Sequence, residues 1–123
     1  MKQNVSWNVL LRQDVEGELR IVVACEAQDG TVLVEERTDG ELTLLTYGTL
    51  TCVRSVAVAS EAVEGLVWAL GPGGGSPLEA LGAFFAGDDR FLSDLQDVLD
   101  AGGVPYTYTV TCGNDHALRR YAE

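Results

Sequence analysis

Hydrophobic residues occupy every second position in two segments near the start of the chain. In segment 5–13, Val9 and Leu11 fall on one side of an extended chain and polar residues fall on the other. After a polar turn, the alternation returns along segment 19–27, where the odd-numbered residues form the hydrophobic side. A period of two is typical of half-buried strands, so both segments are predicted to be strands.

Turn signals divide the rest of the first half of the chain. Asp29-Gly30 and Asp39-Gly40 separate strand-like segments, and Asp-Gly pairs favour type I′ hairpin turns, whose two central residues both need positive φ. We therefore predict a meander of at least four antiparallel strands. Residues 41–59 are rich in β-branched side chains, and their alternation slips near Tyr47-Gly48. A glycine inside such a pattern marks a bulge or bend, so two strands or one bent strand are expected there.

The hydrophobic period changes to that of a helix after Ser60, and three helices are predicted. The first has Ser60 as N-cap and ends at a glycine-rich connector at residues 71–76. The second begins at Ser76-Pro77-Leu78-Glu79, where glutamate three residues after the N-cap serine forms a capping box. The third is capped by Asp88 and ends near Gly102.

A final strand is predicted where tyrosine, valine and cysteine alternate with threonine in residues 106–112. Strands first, helices next and one returning strand indicate an α+β fold: an antiparallel sheet of five to six strands with about three helices packed on one face. The 123 residues are expected to form a single domain, with a tail at 113–123 that frays or forms one helical turn.

Charge changes the picture of possible partners. The chain has 19 acidic residues against 8 Lys and Arg, a formal net charge of −11. Such a surface repels phosphate backbones and anionic lipids, so direct binding of nucleic acid or a membrane is not expected, whereas a basic protein surface would be attracted. The acids are concentrated in two blocks, residues 13–41 and 61–100.

Few residues are suited to catalysis. The single histidine, His116, lies in the tail, where no rigid element would position it. The three cysteines, Cys25, Cys52 and Cys112, are widely spaced, so neither a disulfide framework nor a zinc site is predicted, and buried, inert thiols are expected. The sequence predicts no enzyme activity, no cofactor and no metal site. Without a leader-like or membrane-spanning segment, the expected compartment is the cytoplasm.

The leading hypothesis is a small cytoplasmic protein-binding module. It would act as an inhibitor that covers a basic surface of a partner, such as a groove that binds nucleic acid, with carboxylates in place of phosphates. Immunity proteins and anti-CRISPR-like proteins are of this physical type, which is an analogy of size and charge. The predicted partner-binding residues are Asp89, Asp94, Asp97, Asp100, Glu35, Glu36 and Asp39.

Three other interpretations stay open at this stage. In the first, the acidic residues serve solubility alone, because acidic surfaces are a common route to solubility. In the second, the protein is an oligomeric component of a larger assembly that pairs through its strand edges. In the third, it binds a small ligand in a pocket between sheet and helices.

Overall fold

The computed structural model describes residues 6–71, 75–86 and 90–112. Five strands and four α-helices occur in these residues. In chain order the elements are β1 (Asn8–Val15), β2 (Glu18–Glu26), β3 (Val32–Asp39), α1 (Glu41–Tyr47), β4 (Thr51–Val58), a 3₁₀ turn (Ser60–Ala62), α2 (Val63–Leu70), α3 (Pro77–Phe85), α4 (Leu92–Ala101) and β5 (Thr107–Cys112).

The strands form one antiparallel sheet in the order β1-β2-β3-β4-β5. The first four strands are a meander, and β5 returns beside β4 after the helices α2 to α4. The predicted α+β class, with an N-terminal meander and a returning C-terminal strand, is confirmed. The helix count is one higher than about three because α1 was not foreseen.

The main core lies between the helices and one face of the sheet. Alternate residues of β2 to β4 meet the hydrophobic stripes of α2, α3 and α4, and full burial of each large side chain contributes about 1.5–3 kcal/mol. The most buried members of this cluster are Val22, Ala24, Val32, Val34, Val56, Val58, Leu66, Leu81, Phe85, Leu92, Leu95 and Leu99.

In β1 and β2, the side chains that point toward the helices differ from those that the alternation predicts. In β2 the even-numbered Val22 and Ala24 contribute to the helix-packed core, while Ile21, Val23 and Cys25 are buried on the opposite face. Both faces of β2 carry buried side chains, so alternation did not identify the side that packs on the helices. In β1 the register shifts between Val9 and Leu11, as in a β-bulge, so the two residues no longer share a side.

The turns also differ from the prediction. The two-residue turn with positive φ at both positions is Glu16-Gly17, with φ of 54° and 84°, as a type I′ hairpin requires. At Asp29-Gly30 only the glycine has positive φ, and the Asp29 carboxylate accepts a hydrogen bond from the Thr31 amide at 2.9 Å. That bond lowers the pKa of Asp29. Asp39-Gly40 leads into a helix rather than a hairpin.

Helix α1 replaces the predicted start of a strand at residue 41. Glu41 lies favourably in its first turn, and Gly48, with φ of 83°, ends it in the left-handed conformation. The Glu18 carboxylate accepts hydrogen bonds from the Leu42 amide at 3.0 Å and the Thr43 hydroxyl at 2.6 Å. These contacts come from a distant strand, so the local pattern did not reveal the helix.

The other helices follow the prediction more closely. The capping box of α3 is confirmed: the Glu79 amide donates to Ser76 Oγ at 3.1 Å, and the Ser76 amide donates to Glu79 Oε1 at 3.3 Å. Ser60 starts the 3₁₀ turn and does not cap α2 through its side chain. At the start of α4 the Phe91 amide donates to Asp94 Oδ2 at 2.7 Å. The predicted cap Asp88 lies outside the described residues, as do residues 72–74 of the connector and the tail with His116.

The cysteines contradict the prediction of three inert thiols. Cys52 and Cys112 are cross-strand partners of β4 and β5 and form a disulfide. They lie 60 positions apart in sequence, so the register of two strands, which spacing alone does not reveal, brings them together. Cys25 is free and buried, as expected. Burial, and secondarily the charge of Glu35, raises the pKa of Cys25 to about 11, so its thiol stays protonated and unreactive at neutral pH.

Alkylation followed by mass spectrometry tests this assignment. In denaturant without reductant, iodoacetamide is expected to modify Cys25 alone, whereas after reduction it modifies all three cysteines. Reduction is also expected to lower the free energy of unfolding by about 4 kcal/mol, because the bond closes a long loop in the unfolded chain. Three modifications before reduction would show that the pair is not bonded.

Candidate protein-binding surface

A buried carboxylate lies where the sheet meets the start of α4. Glu36, on the helix-packed side of β3, is only 2% exposed. Its Oε2 accepts hydrogen bonds from Arg20 Nη1 at 2.9 Å and from the Leu92 amide at 3.1 Å. Its Oε1 accepts a hydrogen bond from Arg54 Nη2. The cluster of Glu36, Arg20 and Arg54 therefore joins three neighbouring strands to the first residue of α4.

Arg20 extends this cluster to the segment before α4. Its Nη1 also donates to the Arg90 carbonyl at 3.0 Å, and its Nε donates to Gln13 Oε1 at 3.0 Å. The guanidinium carbon lies 4.3 Å from the centroid of the Phe91 ring, within the range of a cation–π interaction. One arginine thus holds the backbone of residue 90 and the ring of residue 91 against the sheet.

Each charged group of the buried cluster has a hydrogen-bond partner that offsets the cost of removing it from water. Burial lowers the pKa of Arg54, but the hydrogen bond and charge of Glu36 outweigh that effect and leave the pKa above its ordinary value. Charges removed from water are tolerated only when they are paired in this way, and removal of one partner typically costs 3–5 kcal/mol. The cluster therefore fixes the position of α4 and Phe91.

Charge is divided unequally between the interior and the surface. Of the five described cations, Arg20 and Arg37 are buried, Arg54 is half-buried, and only Arg12 and Arg90 are exposed. Ten carboxylates of the described residues are exposed: Asp14, Glu16, Glu26, Asp29, Glu41, Glu61, Glu64, Glu79, Asp97 and Asp100. In the described residues, the ratio of exposed carboxylates to exposed cations is therefore higher than the ratio of all acidic to all basic residues in the chain.

An apolar groove opens beside the buried cluster. It has a volume of about 550 Å³ and lies between α1, the β1–β2 hairpin and Phe91. Leu42 and Leu45 of α1 line it with Val15 and Phe91, and Glu16 and Glu41 add exposed carboxylates. We call this feature the α1 groove. A second groove, lined by Val63, Val67 and the exposed Trp68, lies along α2.

The predicted α4 residues have three different outcomes. Asp89 lies outside the described residues. Asp94 is half-buried, and its carboxylate caps the helix at Phe91. Asp97 and Asp100 are exposed. Asp100 also contacts Tyr106, whose pKa is raised mainly by burial and secondarily by its hydrogen bond with Asp100. Asp97 and Asp100 therefore keep carboxylates that a partner can reach.

The predicted β3 residues are less accessible. Glu36 is withdrawn from the binding surface, because it is buried and its charge is balanced by two arginines. Glu35 is half-buried on the opposite face of the sheet, near Cys25. Asp39 is half-buried at the end of β3, directly before α1. The alternation of β3 already placed Glu35 and Glu36 on opposite sides of a strand, which was a signal that only one of them faces a given side.

The groove residues Val15, Leu42, Leu45 and Phe91 were not predicted to contribute to a site. The sequence pattern predicts a strand at Leu42 and Leu45, and it places Phe91 inside the third predicted helix. Within the described residues, no helix is long and apolar enough to span a membrane. The same residues contain no group of three or more His, Cys, Asp or Glu side chains arranged to hold a metal ion.

Substitution of Glu36 tests the role of the buried cluster. Glu36→Gln is expected to lower the free energy of unfolding by about 3–5 kcal/mol in urea denaturation, because two guanidinium groups lose their counter-charge. Glu61→Gln, a surface control with the same chemical change, is expected to stay within about 0.5 kcal/mol of the parent. Equal stability of the two variants would contradict the assignment.

Comparison of the chain with protein-family models, with curated proteins and with solved structures finds no match. Function is therefore inferred from the geometry and charge of the residues described above.

Proposed function

We propose that this protein is a small acidic protein-binding module that inhibits a partner by covering its basic surface. The observation that carries the proposal is the division of charge: ten exposed carboxylates stand against two exposed guanidinium groups in the described residues. Guanidinium groups are the cations best suited to neutralise a surface carboxylate, and three of the five arginines in the described residues are buried or half-buried. The negative surface is consequently available to a partner.

The mechanism is occupancy followed by local contact. Like-signed carboxylates produce a field that attracts a basic protein and raises the association rate, and the field weakens as salt is added. Carboxylates held on a rigid sheet-and-helix scaffold occupy positions that phosphates would take on a nucleic-acid-binding groove. Immunity and anti-CRISPR-like inhibitors remain an analogy of size and charge.

The proposed compartment is the cytoplasm, with a condition set by the disulfide. A reducing cytoplasm keeps cysteines as thiols, so Cys52 and Cys112 would be unpaired there. The disulfide-bonded form belongs to an oxidising environment. Inhibition by charge requires neither the disulfide nor the free thiols, because the cysteines lie in β4 and β5 and neither strand contains an acidic residue.

Self-assembly is the second candidate, and β5 is the observation that favours it. Among the described strands β5 is an edge strand, and nearly all of its residues are exposed. An exposed edge can pair with another chain. The repulsion between two copies that each carry a charge of −11 opposes this assembly. A molecular mass by light scattering that rises with concentration would favour it over the inhibitor proposal.

Capture of a partner at two salt concentrations tests the inhibitor proposal. The tagged full chain is incubated with lysate of its native host, and captured proteins are identified by mass spectrometry. Capture of basic proteins is expected to fall by roughly tenfold or more between about 50 and about 500 mM NaCl, because salt screens the exposed carboxylates. Capture of only neutral or acidic proteins, or capture that salt does not change, would contradict the proposal.

A pair of variants with equal net charge distinguishes a docking site from a general field. Asp97→Asn with Asp100→Asn is expected to reduce capture more than Glu61→Gln with Glu64→Gln, because the α4 aspartates belong to the predicted binding face. All four side chains are exposed, so neither double variant is expected to affect folding. Equal losses would assign the effect to net charge and exclude the α4 face as the docking site.

A further inference from the structure

Helix α1 presents leucines that the fold does not use. Leu42 is 63% exposed and Leu45 is 81% exposed, although both belong to a helix that rests on the sheet. The helix is held instead by buried Thr43 and by the Glu18 carboxylate, which binds the Leu42 amide and the Thr43 hydroxyl. Polar contacts thus fix the backbone of α1 and leave Leu42 and Leu45 largely in water, where they contribute little to packing.

Two further apolar side chains line the α1 groove, together with the polar side chains of Gln13, Arg20 and Thr38. Phe91 is 48% exposed and Val15 is 61% exposed, and both line the groove with the two leucines. The position of Phe91 is fixed from below by Arg20. Exposed apolar side chains that share one concave feature mark an interaction site more often than scattered ones do.

The charge of the rim selects among occupants. Glu16 and Glu41 are exposed carboxylates of the groove, while Glu18 is already engaged by α1. A second copy of the chain would bring these same carboxylates against each other. A small molecule would be poorly enclosed, because ligand sites bury most of the ligand and the leucines here remain largely in solvent. A ligand that joins an apolar stripe to cationic flanks satisfies both the groove and its rim.

We propose that the α1 groove binds the apolar face of a basic amphipathic helix of the partner protein. Leucine-type side chains at i, i+3, i+4 and i+7 of that helix enter between α1 and Phe91, and flanking Lys or Arg residues pair with Glu16 and Glu41. The inference rests on the proposed function, since it names the kind of segment through which a basic partner is held.

A synthetic helix provides the probe. A peptide of about 16 residues has leucines at the helical spacing and lysines on the remaining face, with alanine added for helicity. Two control peptides keep its length: one has the leucines in scrambled order, and the other has glutamate in place of lysine. Binding to the full chain is measured by isothermal titration calorimetry.

Two protein variants separate the apolar contact from charge. Leu45→Ser is expected to weaken binding of the lysine peptide by about tenfold or more, since it removes a side chain that would be buried. The control Val9→Ser, at an exposed apolar residue outside the groove, is expected to change binding less than about twofold. Glu16→Gln with Glu41→Gln is expected to weaken binding severalfold and to reduce its dependence on NaCl.

The outcomes distinguish this inference from the proposed function. Tight binding of the lysine peptide that Leu45→Ser weakens and Val9→Ser does not would support the groove. Equal binding by both serine variants, tight binding of either control peptide, or no binding of the lysine peptide would overturn it. A dimer that Leu45→Ser dissociates would assign the groove to a second copy and also overturn it. Salt-sensitive capture of a basic partner that persists in Leu45→Ser would leave the proposed function intact.

Discussion

Glu36 carries its charge inside the protein, at the junction of the sheet with α4, where an unpaired carboxylate would be several kcal/mol unfavourable. Arg20, Arg54 and the Leu92 amide satisfy it together. Because these groups come from three different elements, the carboxylate has enough partners only when all three are in place. This requirement couples the register of the central strands to the position of a helix more than fifty residues further along the chain.

The same cluster shapes the surface on which function is proposed. It withdraws Arg20 and Arg54 from the surface, which adds to the excess of exposed carboxylates over exposed cations in the described residues. It also places Phe91 over Arg20, and that ring is one wall of the α1 groove. A structural need in the core and the proposed binding surface above it therefore depend on the same few side chains. The groove presents exposed apolar side chains and its rim presents carboxylates, so the proposed partner segment is one that carries both apolar and basic side chains.

The sequence predicted the features that local chemistry determines. The Ser76–Glu79 capping box and the strand alternation require only neighbouring residues, and both appear in the structure. Among the features that were missed, the helix, the disulfide and the buried cluster depend on distant residues, whereas the position of the type I′ turn and the Ser60 cap were local predictions that were wrong. Helix α1 is held by Glu18 of another strand, and the Cys52–Cys112 bond needs the register of β4 with β5. Glu36 looked like a surface acid because its arginine partners are 16 and 18 residues away in sequence. The leucines of the groove were assigned to a strand for the same reason.

Amide hydrogen exchange at Leu92 tests the role of Glu36 most directly. The first amides of a helix have no partner within the helix, so they exchange quickly unless another group accepts their hydrogen bond. The Leu92 amide donates to buried Glu36, whereas Leu78 in the first turn of α3 provides an internal reference. The Leu92 amide is expected to exchange only through global unfolding of the protein, whereas the Leu78 amide is expected to exchange fast. Fast exchange at Leu92, equal to that at Leu78, would contradict this role of Glu36.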